Sequence, residues 1–309
     1  MARVNQSAKA APLKVGIELG GTKCVMILGA SPDDIRSEAR IETVGPHQTM
    51  NAIDDRLRQW SDLYGFEAVG VASFGPLDLD PRSPSFGCVV NTPKPGWSGF
   101  DLLRPLRRWA VPVGFDTDVN GSALAEGRWG AARGLSSFAY VTVGTGIGVG
   151  SIVDGRSVRG LGHSEAGHLR IPRPTGSTFA GVCPFHGDCV EGLASGPAVL
   201  AQAGVPAEQL STTDAAWDVV VSALAALCHN LVLTTAPERI LLGGGLGMGQ
   251  PHLLPRIRAA LLASLNGYGV ADRIAAVIDD FIVQPGLGHS AGPLGALALA
   301  IDAREAASR

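Results

Sequence analysis

One unit occurs twice in this chain and limits what the chain can fold into: an apolar strand, a glycine turn carrying a threonine, and a second strand. The first copy runs from Lys14 to Glu18, through Gly20-Gly21-Thr22-Lys23, and on from Cys24 to Leu28. The second runs from Phe138 to Val143, through Gly144-Thr145-Gly146-Ile147-Gly148, and on from Val149 to Val153. Both flanks of each turn are strand-like, so each turn joins a hairpin and does not open a helix. Self-similarity at this long spacing predicts duplicated lobes, not a solenoid of short repeats. A chain of 309 residues fits two lobes sharing a cleft. Its 41 glycines are bunched, as tight turns and close backbone approach to a ligand require.

The rest of the chain reads as α/β. Ile53, Leu57, Trp60 and Leu63 have helical spacing between Met50 and Tyr64. Ala68 to Ser73 is a buried-strand run ended by Gly75-Pro76, and residues 78–99, rich in Pro, Gly and Ser, are loop-like. Leu102 to Trp109 predicts a short helix, Val111 to Phe115 a strand, and Ala123 to Trp129 a helix-like run. Further on, Asp218 to Leu233 is helical, and Arg239 to Leu242 is a strand followed directly by Gly243-Gly244-Gly245. Pro255 to Leu265 is amphipathic, Ala275 to Val283 predicts a strand, and Gly292 to Ala306 an Ala-rich helix. The expected organisation is a flexible leader at 1–11 and a first lobe at 12–118 joined by the C-terminal helix, about 292–309. Residues 119–291 form a second lobe with a metal loop at 168–189.

Several classes are excluded. Apolar residues make up 46% of the chain and charged residues 17%, which is not the composition of a disordered protein. A net charge of −3 without a Lys/Arg cluster argues against nucleic acid as a partner. Five cysteines, an odd number, do not make a disulfide scaffold. Met1 to Pro12 lacks the apolar stretch of a secretory signal. Val219 to Ala236 is uncharged over a near-membrane length, but Ser222, His229, Asn230, Thr234 and Thr235 favour a buried core helix. The expectation is a cytoplasmic protein without a membrane partner.

Peptide N–H groups of a glycine turn can converge on an anion. Thr22 and Lys23 add a hydroxyl and a cation to the first turn. Two matching turns and a triglycine point to a nucleotide with a polyphosphate chain. The first turn lacks the Gly-x-x-x-x-Gly-Lys-Ser/Thr form of a P-loop, and the second runs into a strand where a dinucleotide fingerprint would open a helix. After the strand ending at Phe115 comes Asp116-Thr117-Asp118-Val119-Asn120. A carboxylate there could accept a hydroxyl proton during phosphoryl transfer, or could merely cap the following helix. Spacing alone does not choose between Asp116 and Asp118.

His168 is followed by Cys183-Pro184-Phe185-His186-Gly187-Asp188-Cys189. Two thiols and two imidazoles, His168, Cys183, His186 and Cys189, suit a closed, tetrahedral and therefore structural Zn²⁺ site. Cys24, Cys88 and Cys228 lie in apolar runs and read as buried. Glu165 and Glu191 bracket the loop and could grip sugar hydroxyls, although surface carboxylates are the plainer reading.

These segments together resemble the ROK sugar kinases, and within them the bacterial fructokinase branch. The resemblance is carried by Gly16 to Lys23, Ser73 to Leu77, Asn91 to Trp97, Asp116 to Asn120, Val143 to Gly148, Glu165 to His168, Cys183 to Gly196 and Leu242 to Gly245. It implies an actin-like ATPase fold of two RNase H-like lobes with an interlobe cleft. The implied activity is phosphoryl transfer from ATP, with Mg²⁺, to a hexose 6-hydroxyl. It implies Asp118 as the general base and Asn91, Thr117, Glu165, His168 and Glu191 as sugar contacts. Gly20, Gly21, Thr22, Lys23, Gly144, Thr145 and Gly146 would be the phosphate turns, and Gly243, Gly244 and Gly245 the nucleoside wall. A homodimer is expected on the same basis. The metal loop and Glu18 look like the fructokinase branch, whereas Gly162-His163-Ser164-Glu165 departs from the His-Pro-Glu-Met of that branch. Fructose leads, with glucose, mannose and an N-acylated hexosamine behind. A sugar-sensing regulator is disfavoured because about a dozen residues precede the first strand. A catalytically dead sugar binder is disfavoured by Asp118 and both turns.

Overall fold

A computed structural model describes residues 11–173 and 176–309; most of the expected leader, residues 1–10, lies outside this range. The strands are β1 (Lys14–Leu19), β2 (Lys23–Ser31), β3 (Asp34–Glu42), β4 (Val69–Ser73) and β5 (Val113–Thr117), then β6 (Phe138–Val143), β7 (Ile147–Val153), β8 (Arg156–Ser157), β9 (Ile240–Gly243) and β10 (Ile282–Val283). The helices are α1 (Pro46–Leu63), α2 (Asp118–Trp129), α3 (Val190–Ala194), α4 (Gly196–Ala203), α5 (Ala216–Thr235), α6 (Gly244–Gly249), α7 (Leu253–Leu265), α8 (Ala271–Ala276), α9 (Ile278–Phe281) and α10 (Ala291–Ala306).

The duplication read from the glycine turns extends to whole sheets. One sheet is ordered β3-β2-β1-β4-β5 and the other β8-β7-β6-β9-β10. In each, the outer strand and the hairpin pair antiparallel, and the last two strands add in parallel.

Each helix that ends a unit packs on the other unit's sheet. The last helix, α10, lies on β1, β4 and β5. It can do so because Gly16, Gly70 and Gly114 stand in register across those strands. A Cβ on any of the three would collide with the α10 backbone. Reciprocally, α2 follows β5 but crosses β7, where a Cβ on Gly150 would strike the Val119 backbone. The two helices touch where Gly295 meets Gly121. Buried Glu126 accepts the N–H groups of Ala131, Gly286 and Leu287, tying the end of α2 to the segment before α10.

The opposite sheet faces carry the cores. Met50, Ile53, Leu57 and Trp60 of α1 pack over Val15, Ile17 and Val71. In the second half, α5 and α7 pack together over β6 and β9, burying Trp217, Leu224, Leu227, Leu231 and Leu261. Each such side chain contributes about 1.5–3 kcal/mol of burial. The membrane-length stretch is therefore a core helix.

Four local expectations change. Ala275 to Val283 is mostly helical, and only Ile282 and Val283 pair with β9, because that partner strand begins at Ile240, opposite Ile282. The helix expected at Leu102 to Trp109 is a 3-10 turn over Arg104–Trp109, after which β5 starts at Val113, beyond Pro112. The helix expected from Ala123 begins at Asp118, directly off β5. Cys88 is partly exposed, whereas Cys24 and Cys228 are buried, with thiols pushed up to about 12 by burial.

Candidate active site

Both glycine turns close on themselves. The N–H of Gly20 donates to Lys23 O at 3.0 Å and that of Gly144 to Gly146 O at 2.9 Å. An anion would thus meet the inner peptides of each turn. Between the two sheets lies a cavity of about 890 Å³ onto which Gly21, Gly144, Thr145 and Gly146 face. On the same wall are Asn91, Thr117, Asp118, Glu165, His168 and Glu191, so the structure brings together every residue the sequence suggested for sugar contact. Gly20, Thr22 and Lys23 belong to the first turn but not to the cavity wall. Gly243, Gly244 and Gly245 also lie off this wall, behind the second turn, where a Cβ on Gly144 would be 4.0 Å from Gly245 N.

The structure separates the two aspartates that spacing could not. Asp116 is fully buried, and its carboxylate accepts from Thr117 N–H and Asn120 Nδ2 at 2.8 Å each and from Ser157 Oγ at 3.2 Å. Arg159 also pairs with it. With its lone pairs occupied, Asp116 holds the β5–α2 corner. Thr117 is the N-cap of α2, its Oγ1 accepting from Asn120 N–H at 3.2 Å. Asp118 therefore does not cap the helix. Its Oδ1 accepts the N–H of Val119 at 2.9 Å, and the side chain faces the cavity. Burial, then the charges of Glu18 and Glu165, push this carboxyl up to about 7. A group with that value at a cleft is poised for proton transfer near neutral pH.

Around it the wall is held from both lobes. Asn91 has φ 48°, a left-handed conformation that Asn tolerates better than most side chains. His163, the departure noted in the sequence, accepts the N–H of Leu77 through Nε2 at 2.9 Å, a bond spanning the cleft. Its Nδ1 lies 3.5 Å from Glu165. The Glu191 carboxylate accepts Ile147 N–H at 3.0 Å and approaches His168 Nε2 at 4.0 Å, linking the second turn to the His/Cys loop.

That loop brings its four donors together. Cys183 Sγ is 3.6 Å from His168 Nδ1 and 3.7 Å from His186 Nδ1, and Cys189 Sγ is 3.5 Å from His168 Nδ1. All four donor atoms lie within 4.8 Å of one another. A tetrahedron with Zn–S of about 2.3 Å and Zn–N of about 2.05 Å has S···N edges of about 3.6 Å. The spacing fits that ion without rearrangement.

Lys94 and Phe74 are among the wall residues not singled out from the sequence. Lys94 stands in Pro93-Lys94-Pro95, and Phe74 follows β4. The signal available for Lys94 was a lone lysine between prolines in a segment already marked by the family resemblance.

A sequence model of the ROK family matches residues 14–303. A fructokinase of Pediococcus pentosaceus is 39% identical over 92% of this chain and 96% of its own length. A fructokinase of Zymomonas mobilis is 40% identical over 93% and 96%. Among solved structures, a ROK hexokinase of Thermus thermophilus superposes with a TM-score of 0.77 at 27% identity, covering 96% of this chain and all of that one.

Proposed function

The chain belongs to the ROK family, and from that premise we propose that it is an ATP-dependent fructokinase in which Asp118 activates the sugar 6-hydroxyl. It is an actin-like ATPase-fold sugar kinase, and it converts ATP and fructose to ADP and fructose 6-phosphate. The observation that carries the residue roles is one cavity onto which both glycine turns and the Asp118 carboxylate, at the start of α2, open together.

Fructose would lie against Asn91, Glu165, His168 and Glu191, with its 6-hydroxyl toward Asp118. The triphosphate would lie along the peptides of Gly21, Thr145 and Gly146, with the nucleoside toward Gly243 to Gly245. Asp118 takes the hydroxyl proton as the sugar oxygen attacks. The turns hold the phosphate tail, and closure across the His163–Leu77 bond excludes water. Mg²⁺, which is held largely by substrate phosphates, supplies charge neutralisation on the transferring group.

His168, Cys183, His186 and Cys189 would hold Zn²⁺ as a structural ion, fixing His168 and, through it, Glu191. The test is ADP release coupled to a spectroscopic readout, run against fructose, glucose, mannose and N-acetylated hexosamines, with the product's phosphate position read by NMR. The reading expects preference for fructose and a 6-phosphate. Absence of ATP turnover with any hexose would overturn it.

A further inference from the structure

We propose that Lys94 is the catalytic cation of this cleft, its ammonium meeting the phosphoryl group as that group passes from nucleotide to sugar. The proposal rests on the hexose-kinase reading above and adds to it a residue that reading does not use.

Lys94 sits on the cavity wall with Asp118 and the second turn. A Cβ placed on Gly21 would lie 3.6 Å from its Nζ, so the ammonium adjoins the first turn. Its position is fixed from below. Trp97, fully buried, donates its indole N–H to Val44 O at 2.9 Å. The Phe74 ring packs edge-on against Trp97 at 5.1 Å, and Lys94 Nζ stands 5.3 Å from the Phe74 centroid. Among the described residues no carboxylate pairs with Lys94. Lys23, the cation that the sequence placed at this turn, is exposed, lies off the cavity wall and acts on Glu18. Burial also holds the Lys94 ammonium below the usual lysine range, as expected of a cation partly stripped of water. A half-buried, unpaired ammonium facing a cavity is completed by an anion, and the anion that this reaction brings there is phosphoryl oxygen.

In the transfer, the bond from the sugar 6-oxygen to phosphorus forms as the bond from phosphorus to the β-phosphate oxygen breaks. The electron pair leaves with ADP and the hydroxyl proton goes to Asp118. Lys94 stays protonated throughout and contacts an equatorial oxygen of the transferring group, where charge resides in a loose transition state.

Lys94→Met keeps the aliphatic stem on Phe74 and removes the charge; Lys94→Arg keeps the charge. The expected result for Lys94→Met is a kcat about 10²-fold lower, as for loss of one preorganised donor, with the KM for fructose little changed. Calorimetry should show unchanged affinity for ADP but affinity for a non-hydrolysable ATP analogue reduced roughly tenfold. Lys94→Arg should recover part of both losses, and thermal unfolding should show both variants folded. Retained kcat in Lys94→Met overturns the proposal. So does a rise in fructose KM with kcat and analogue affinity untouched, which would make Lys94 a sugar contact. If the wild-type protein fails to phosphorylate fructose, the functional reading falls on its own. The ADP-versus-analogue comparison, which needs no turnover, still judges Lys94, with equal losses for the two nucleotides counting against it.

Discussion

Replacing Asp118 with asparagine should inactivate the protein and at the same time stabilise it. The carboxyl is pushed from about 3.8 up to about 7 by burial and by the neighbouring charges of Glu18 and Glu165. A raised carboxylate pKa means that the folded state favours the neutral form. Well below pH 3.8 the group is neutral in both folded and unfolded chains and costs nothing. As pH rises from about 4 through 7, the unfolded chain ionises freely while the folded one resists, so stability is lost. Above 7 the full cost is present: about three pKa units at 1.36 kcal/mol each, or roughly 4 kcal/mol as an upper figure. The asparagine side chain cannot ionise, and its carbonyl can still accept Val119 N–H. Asp118→Asn should therefore be more stable than wild type by about 2–4 kcal/mol at pH 8, and equal to it near pH 4. Its kcat should fall by about 10²–10⁴-fold, the usual contribution of a general base. The assays are urea unfolding at pH 4 and pH 8 at fixed ionic strength, beside steady-state kinetics. A variant that is less stable at pH 8, or whose stability difference ignores pH, refutes the electrostatic reasoning. Undiminished turnover refutes the catalytic role.

Wild-type kcat/KM should decline below about pH 7, tenfold per unit, as Asp118 takes up its proton; a profile flat down to pH 5.5 would contradict this. Asp116→Ala should have the opposite stability effect to Asp118→Asn, about 3–5 kcal/mol destabilising, because Arg159, Asn120 and Thr117 N–H lose their shared acceptor; denaturant titration decides it. Chelation or Cys183→Ser should remove one zinc per chain, lower the unfolding temperature and raise the KM for sugar through His168 and Glu191. Metal analysis showing no zinc in the untreated protein would dismiss the ion. Gly70→Ala should cost about 3 kcal/mol, since its Cβ falls on the Ala296 carbonyl of α10; a fully stable Ala variant would show that this contact gives way freely.

What the sequence made legible was local. The hairpin turns at Gly20 and Gly144 and the four metal-loop donors announced themselves because glycine, cysteine and histidine carry their chemistry at short spacing. β3 went unseen because the apolar side of its alternation is weak: Arg36, Glu38, Arg40 and Glu42 face solvent on this outer strand, and of the interleaved Ile35, Ser37, Ala39 and Ile41 only Ala39 is buried. Ala275 to Val283 looked like a strand because its β-branched residues fit one, and only the absence of a longer partner edge makes most of it helical. The choice between Asp116 and Asp118 depends on Arg159 and Ser157, some forty positions downstream and joined to Asp116 only by the fold. Lys94 was hidden for the same reason, since its neighbour Gly21 is distant in sequence.

The exchange of α2 and α10 between the two sheets fixes an order of events during synthesis. Domains generally fold as units, with the N-terminal one first as the ribosome releases it. Here β1, β4 and β5 emerge with a bare groove of glycines that α10 fills. The half made first must wait for a helix translated only after the second sheet, so the two halves mature together in one step and neither should survive alone.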